Sequence, residues 1–564
     1  MADSTLSDYM DYKTTIYNIF SPRKNTFAVP NYQRAYSWEK DKHVAQFLKD
    51  LKEHPDSVAQ YHYGHFLFER DDIDINRYWI IDGQQRMTTA IIFLSCIYSR
   101  LTGDANYVKM AKNLHDEYLI SSDEQQKFHT VDYDNNFFVN LIIEGREDKV
   151  DTRSRKRIKE ARAYLLEQIE KSDINDVLHW KDLLENAKIT TDIVNDKAEA
   201  AQIFTFQNDR GKDLTNLEKL KAYLMLQIFL SCKGTDKNPN EAIGFIEKEF
   251  ETIYRALEKI NIANEDQVLG YHTTAFLPYA DNSIERVKNN LIKQKAENHQ
   301  KWIKNFVVEL KRSFEFVIHI QGKRKTYSYI GDVLFLDQAN SFPLLLKLFH
   351  YHENDSSLEN IFRLIEIILF RLSYTTGNYY TNSLPSIAYN YSGKDLGELK
   401  SILRGHAKSG FQPYWNFETD FHKCLTGDYH YWGSTRYLLW KYENSLRDGI
   451  REPYMLFPEF KNIYGAHKLE NTIDHWTPQN PYDLEYEKEF KEKYLNNIGN
   501  LVLSTRGRNA SDSNNLPSDK STYSTLISRQ QLEDKKGSWG KEEIKNRQEL
   551  IVKFAKHYWN PENV

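Results

Sequence analysis

The stretch Asp82-Gly83-Gln84-Gln85-Arg86 decides how the first half of this chain is read. It follows an apolar run, Tyr78-Trp79-Ile80-Ile81, that reads as a short buried strand. It precedes Met87-Thr88-Thr89-Ala90-Ile91-Ile92-Phe93-Leu94, which reads as the start of a packed helix. A glycine at a strand-to-helix turn lets the backbone approach a ligand, and free N–H groups at a helix start attract anions. Around the turn stand one carboxylate, two amides and a guanidinium, the last a planar fork suited to phosphate. The set suits a nucleotide or a phosphodiester. The same residues would also serve as helix caps and local ion pairs.

Working outward, 564 residues are too many for one ordinary core, and two to four domains are expected. Hydrophobic residues at 40% and charged residues at 27% give a soluble globular profile. Aromatics reach 14%, and most of these rings are expected in cores, with base stacking as their second use. A formal net charge of -5 argues against a protein held to DNA by overall charge but leaves room for a local basic groove. Cys96, Cys232 and Cys424 lie far apart without metal-ligand spacing, which points to a reduced, cytoplasmic compartment. The N-terminus lacks the basic-then-apolar pattern of a signal peptide. The apolar run Asn360 to Leu372 is interrupted by Arg363, Glu366 and Arg371, so it reads as a buried amphipathic helix and not as a membrane span.

The first hundred residues mix strand-like runs, Thr26 to Pro30 and Gly64 to Phe68, with turns; beyond Met87 the pattern is helical. Arg153 to Ile169 reads as a basic amphipathic helix whose cations serve a solvated face ahead of phosphate contact. Asn208-Asp209-Arg210-Gly211 reads as a turn, and Thr215 with Glu218 forms a capping-box pattern opening the helix Leu217 to Phe229. Asn208 and Arg210 then project beside a helix start, a second anion-friendly place. Residues 236–400 are long helical patterns without recognisable chemistry. The expected fold is α+β and mostly helical, with domains at 1–235, 236–400 and 401–564.

A second chemical centre lies near the C-terminus, in Thr472-Ile473-Asp474-His475-Trp476-Thr477-Pro478 followed by Ile498-Gly499-Asn500-Leu501-Val502-Leu503-Ser504. Asn509 and Lys520 come next, and Leu501 to Ser504 reads as a strand. An imidazole beside a carboxylate suits hydrolysis: the histidine activates water and the carboxylate holds a divalent cation. Neighbours on a strand point to opposite faces, so both serve one site only at a strand end or bend, which Pro478 supplies. A surface Asp-His pair is the competing reading, and Asn500 and Asn509, spaced as in a hairpin followed by a helix, shift the balance toward a site.

Taken in order, these stretches resemble the GmrSD-type modification-dependent (type IV) restriction enzymes. In that family a ParB/sulfiredoxin-like nucleotide-binding domain is joined to an HNH-like (ββα-metal) nuclease domain. The N-terminal likeness is carried by Val29 to Trp38, Tyr63-Gly64, Asp82 to Thr89 and Phe204 to Leu220. The C-terminal likeness is carried by Arg436 to Leu439 with Glu443, Asp474 to Pro478, Ile498 to Leu503, Asn509, Trp539, Ile544, Arg547 and Trp559. The resemblance implies that Arg34, Asp82, Gly83, Gln84, Gln85, Arg86, Asn208 and Arg210 line a site for a nucleoside triphosphate, GTP or ATP. Arg86 would hold phosphates, and Asp82 would bind a cation or position water. Tyr32 and Gln33 would lie in that site or sense modified DNA. No P-loop sequence occurs, so hydrolysis would not use one. In the nuclease half, His475 is implied as the water-activating base, Asn500 as the residue orienting it, and Asp474 and Asn509 as ligands of Mg²⁺ or Mn²⁺. Trp476 stands where an aliphatic residue is usual, and Asn509 where the HNH name has a histidine.

The resulting expectation is an NTP-binding and NTP-hydrolysing, metal-dependent DNA endonuclease that cuts modified phage DNA in bacterial defence. No membrane partner is expected, and homo-oligomerisation is left open. The alternatives are a nucleotide-switched sensor or adaptor without nuclease activity and an RNA-directed nuclease.

Overall fold

The computed structural model describes residues 13–22, 24–55, 60–71, 73–194, 199, 203, 214–232, 238–323, 328–376, 383–411, 416–427, 433–452, 454, 473–482, 484–504, 514–520 and 524–564. The chain divides into two units. One comprises Met1–Thr273 with Leu277–Ile318, and the other Thr274–Phe276 with His319–Val564. The expected middle region 236–400 contributes residues to both units.

The first unit is built on a mixed six-stranded sheet: β1 Lys13–Thr15, β2 Thr26–Ala28, β3 His62–Arg70, β4 Arg77–Asp82, β5 Phe128–His129 and β6 Lys188–Val194. Their order across the sheet is β1-β6-β3-β4-β2-β5. β3 pairs antiparallel with β4 and parallel with β6, so Leu67 faces Asp82 on one side and Asp192 on the other. Its apolar residues serve both faces, as alternation on a doubly covered strand requires: Phe66 and Phe68 stack within the main core, while Leu67 joins Ile81, Val194 and Ala222 in a second cluster.

The helix Gln84–Thr102 begins three residues earlier than its apolar run predicted, because Gly83 turns the chain in the left-handed region at φ 90°. A Cβ there would come within 2.3 Å of the Phe66 ring, so the core requires a glycine here. The helix packs against helix Arg153–Lys171. Both share a core with the sheet, where each fully buried Leu, Ile or Phe side chain contributes roughly 1.5–3 kcal/mol. In the basic helix Arg155 pairs with Asp134 at 3.2 Å and Asp151 at 3.0 Å, so that cation serves the fold. The Thr215–Glu218 capping box forms: Thr215 N–H donates to Glu218 Oε2 at 3.0 Å and Glu218 N–H to Thr215 Oγ1 at 3.3 Å, opening the helix Asn216–Cys232.

The second unit is helical apart from one antiparallel pair, β7 Ile473–His475 with β8 Leu501–Leu503. Its helix Leu358–Thr376 is buried more completely than an amphipathic reading implied, charges included. Glu366 accepts from Tyr437 Oη at 2.6 Å and Trp559 Nε1 at 2.7 Å and pairs with Arg363; Arg371 donates to the Ala407 carbonyl at 2.9 Å. Buried charges survive because each has such partners. Asp332 likewise meets Lys441 at 2.6 Å, and burial pushes its carboxyl up to about 6. Among the described residues no helix is long and apolar enough to cross a membrane.

Candidate functional site

In the first unit the strand-to-helix turn gathers four polar side chains. Arg86 Nη2 donates to the His65 carbonyl at 2.6 Å and lies 3.4 Å from Asp82 Oδ2. His65 Nε2 is 3.0 Å from Asp192 Oδ2, and its Nδ1 is 3.8 Å from Asp82 Oδ2. Burial pulls the His65 imidazole down, but hydrogen bonds and charge from Asp82 and Asp192 together hold it above its ordinary value. The cluster is a quarter to a third exposed and draws on three adjacent strands and the first turn of a helix. His65 and Asp192 carried no motif in the sequence; their nearest signal was the register that places both beside Leu67 and Asp82.

The other residues expected here behave differently. Gln85 accepts from the Ser37 N–H at 2.7 Å and donates to the Ala35 carbonyl at 3.2 Å, so its amide holds the 35–37 loop instead of facing a ligand. Gln33, 2% exposed, donates to the Ile81 carbonyl at 3.0 Å and accepts from Lys221 Nζ at 3.0 Å. Tyr32 lies under the Lys221 ammonium, and its hydroxyl, desolvated and bonded to Glu247, is pushed well above its ordinary range. The Gln33 side chain is thus committed inward, while Tyr32 is half-buried. Desolvation in turn pulls Lys221 down to about 8.

Arg34 pairs with Glu265 at 2.9 Å and, with Gln84, Thr88, Val29 and Tyr36, lines a narrow cleft of about 10 Å³. Gln84 is 8% exposed, and its Oε1 has no hydrogen-bond partner among the described residues. Asn208 and Arg210 lie outside the described residues.

In the second unit the β7–β8 pair carries the Asp-His dipeptide. Gly499 sits so close to helix Lys541–Tyr558 that a Cβ would fall 2.0 Å from the Ile544 carbonyl oxygen, which explains the glycine before Asn500. Arg547 of that helix donates to the Gly499 and Leu501 carbonyls, each at 2.7 Å. His475 is 7% exposed. Its Nε2 stands 3.1 Å from Asn496 Oδ1. Burial pushes the imidazole down to about 4, against the raising effect of the Asn496 bond and with help from Lys520. It is therefore neutral near pH 7, and a weaker proton acceptor than an ordinary imidazole.

Two expectations for this centre need correction. Asn500 does not spend its side chain on the histidine: it accepts from the Thr477 N–H at 2.8 Å and donates to the Thr477 carbonyl at 3.0 Å and the Leu495 carbonyl at 2.9 Å. It shapes the loop instead. Asp474 does not fit a cation ligand as placed. Lys520 Nζ meets both its oxygens at 2.9 Å and the His475 carbonyl at 2.9 Å, and Arg529 Nη1 reaches Oδ2 at 3.3 Å. Two cations thus hold the carboxylate, itself 2% exposed. Trp476 underlies both, 5.7 Å from the Lys520 ammonium and 5.3 Å from the Arg529 guanidinium, which accounts for an aromatic ring where an aliphatic residue is usual. Among the described residues no group of three or more His, Cys, Asp or Glu side chains is arranged to hold a metal ion. Asn509 lies outside the described residues.

A buried histidine on a short hairpin lies in one unit, and a carboxylate–imidazole–guanidinium cluster at a strand-to-helix turn lies in the other. Family comparison fits that division. Residues 16–225 match the GmrSD restriction endonuclease N-terminal domain, and residues 412–554 match the GmrSD restriction endonuclease C-terminal domain. The two matches span more than half of the chain, which belongs to the GmrSD restriction endonuclease family. Membership gives it a restriction endonuclease role in defence, with DNA as the partner. A comparison with curated proteins found no match.

Proposed function

We propose that this chain is a nucleotide-regulated endonuclease in which His475 is the hydrolytic base and the Asp82–Arg86 turn handles the nucleotide. The observation that carries the reading is the place of His475 on the β7–β8 hairpin, inside the stretch matched to the restriction endonuclease C-terminal domain, with its Nε2 held by Asn496. A neutral imidazole takes a proton from water, the resulting hydroxide attacks the phosphorus, and the P–O bond to the leaving strand breaks as that oxygen takes a proton from solvent. The family resemblance to ββα-metal nucleases argues for Mg²⁺ or Mn²⁺ in the reaction. Asp474 supplies no seat for it while Lys520 and Arg529 hold both its oxygens.

In the first unit Arg86 offers its guanidinium toward triphosphate oxygens at the start of a 19-residue helix. The Gln84 oxygen, without a hydrogen-bond partner among the described residues, suits an amino donor of a nucleobase. Calorimetry with GTP and ATP tests this half: Arg86→Ala is expected to weaken nucleotide affinity, and an unchanged affinity would remove the phosphate role. The whole reading is tested by incubating the protein with modified and unmodified phage DNA, with and without each nucleotide and Mg²⁺ or Mn²⁺. Cleavage of DNA that needs nucleotide supports it; cleavage of RNA alone, or of nothing under any condition, contradicts it.

A further inference from the structure

The geometry points to Asn496 as the residue that positions His475, by accepting its Nε2 proton and so leaving the basic lone pair on Nδ1. This rests on the reading of His475 as the hydrolytic base. A carboxamide oxygen only accepts, so an imidazole nitrogen 3.1 Å from Asn496 Oδ1 is the one that carries hydrogen. Gln479 Nε2 stands 3.4 Å from the same oxygen as a second donor, consistent with that end of the Asn496 amide facing the ring.

The backbone on both sides of Asn496 is pinned. Asn500 Nδ2 holds the Leu495 carbonyl at 2.9 Å, Asn497 N–H donates to the Tyr494 carbonyl at 3.2 Å, and Asn497 Oδ1 accepts from Gly499 N–H at 2.8 Å. The contribution of Asn500 then reaches the histidine at one remove, through the turn that carries Asn496. Asn496 also fits the second half of the proton transfer: once Nδ1 has taken the proton, the ring is cationic, and its Nε2–H bond to a carbonyl oxygen becomes charge-assisted. Asn496 is a positioning residue and touches no substrate in this account.

Two measurements on the full chain test it. In protein labelled with ¹⁵N in its histidines, with His475→Ala identifying the resonances, the expected signature near pH 7 is the Nε2–H tautomer for His475. Asn496→Leu is expected to abolish that preference, and Asn496→Asp, which keeps an acceptor in place, to retain it. In a plasmid-nicking assay Asn496→Leu is expected to lower kcat roughly 10- to 100-fold with KM for DNA little changed, as loss of an orienting partner does, and Asn496→Asp to recover much of the loss. An Nδ1–H tautomer in the native protein, or a tautomer and kcat that Asn496→Leu leaves unchanged, overturns the inference. Full nicking by His475→Ala would instead remove the base assignment beneath it. Should Asn496→Leu fail to fold, the native tautomer and the Asn496→Asp variant still decide.

Discussion

Two short polar motifs of similar composition do different work in this chain. Asp82 to Arg86 stands partly exposed, and its carboxylate and guanidinium share their surroundings with His65 and Asp192 from neighbouring strands. Asp474 to Pro478 is buried; its carboxylate is locked by Lys520 and Arg529, and its histidine Nε2 stands 3.1 Å from the Asn496 amide oxygen. In the first motif the ionisable groups face outward and the amide of Gln85 serves the fold. In the second the carboxylate serves the fold, and the imidazole is the group we propose as reactive. The lesson is that a motif locates a site, while the partners of each atom decide which residue acts.

The contrast breaks most readily at Asp474. Asp474→Asn leaves two buried cations facing a neutral group and is expected to destabilise the protein by about 3–5 kcal/mol in chemical denaturation, with Asp474→Asn/Lys520→Met recovering part of the loss. Retained stability with lost Mg²⁺ or Mn²⁺ binding would make Asp474 a ligand and erase the difference between the motifs.

Behind the first motif, Lys221 sharpens the comparison through pH. Its folded value is about 8 and its unfolded value about 10.4, so between these the unfolded chain binds more protons and stability rises with pH. The rise is bounded at about 3 kcal/mol, and Lys221→Met is expected to lack it in denaturation curves taken from pH 8 to 10. Gly499→Ala, which drives a methyl group against the Ile544 carbonyl, is expected to cost about 1–3 kcal/mol and to lower the melting temperature. The smallest effect separates neighbours within one motif. Gln85→Leu should cost about 1 kcal/mol in stability with nucleotide affinity preserved, whereas Arg86→Ala should do the reverse. Equal losses of affinity in both variants would return Gln85 to the ligand.

Much of this was legible in the sequence. The strand Tyr78–Ile81, the capping box at Thr215 and the hairpin strand at Leu501 all form, because each is specified by local periodicity or by a cap within four residues. The mostly helical α+β class and the family follow from the same runs. What escaped the sequence was pairing at long range. His65 meets Asp192 from 127 positions away, and Lys520 meets Asp474 from 46. No spacing rule reports such contacts, which arise from sheet register and from a lysine folded back beneath the hairpin. Asn496 was hidden for a related reason: Asn500, four residues on, carried the recognisable pattern, while the contact to the ring belongs to its neighbour.

The central claim is that cutting resides in the second unit and depends on His475. Nicking of supercoiled plasmid by native protein and by His475→Ala, with folding matched by circular dichroism and nucleotide affinity by calorimetry, tests it most directly. Loss of nicking by at least about 100-fold, with fold and nucleotide affinity intact, is the predicted result. Undiminished nicking by the variant would contradict the account.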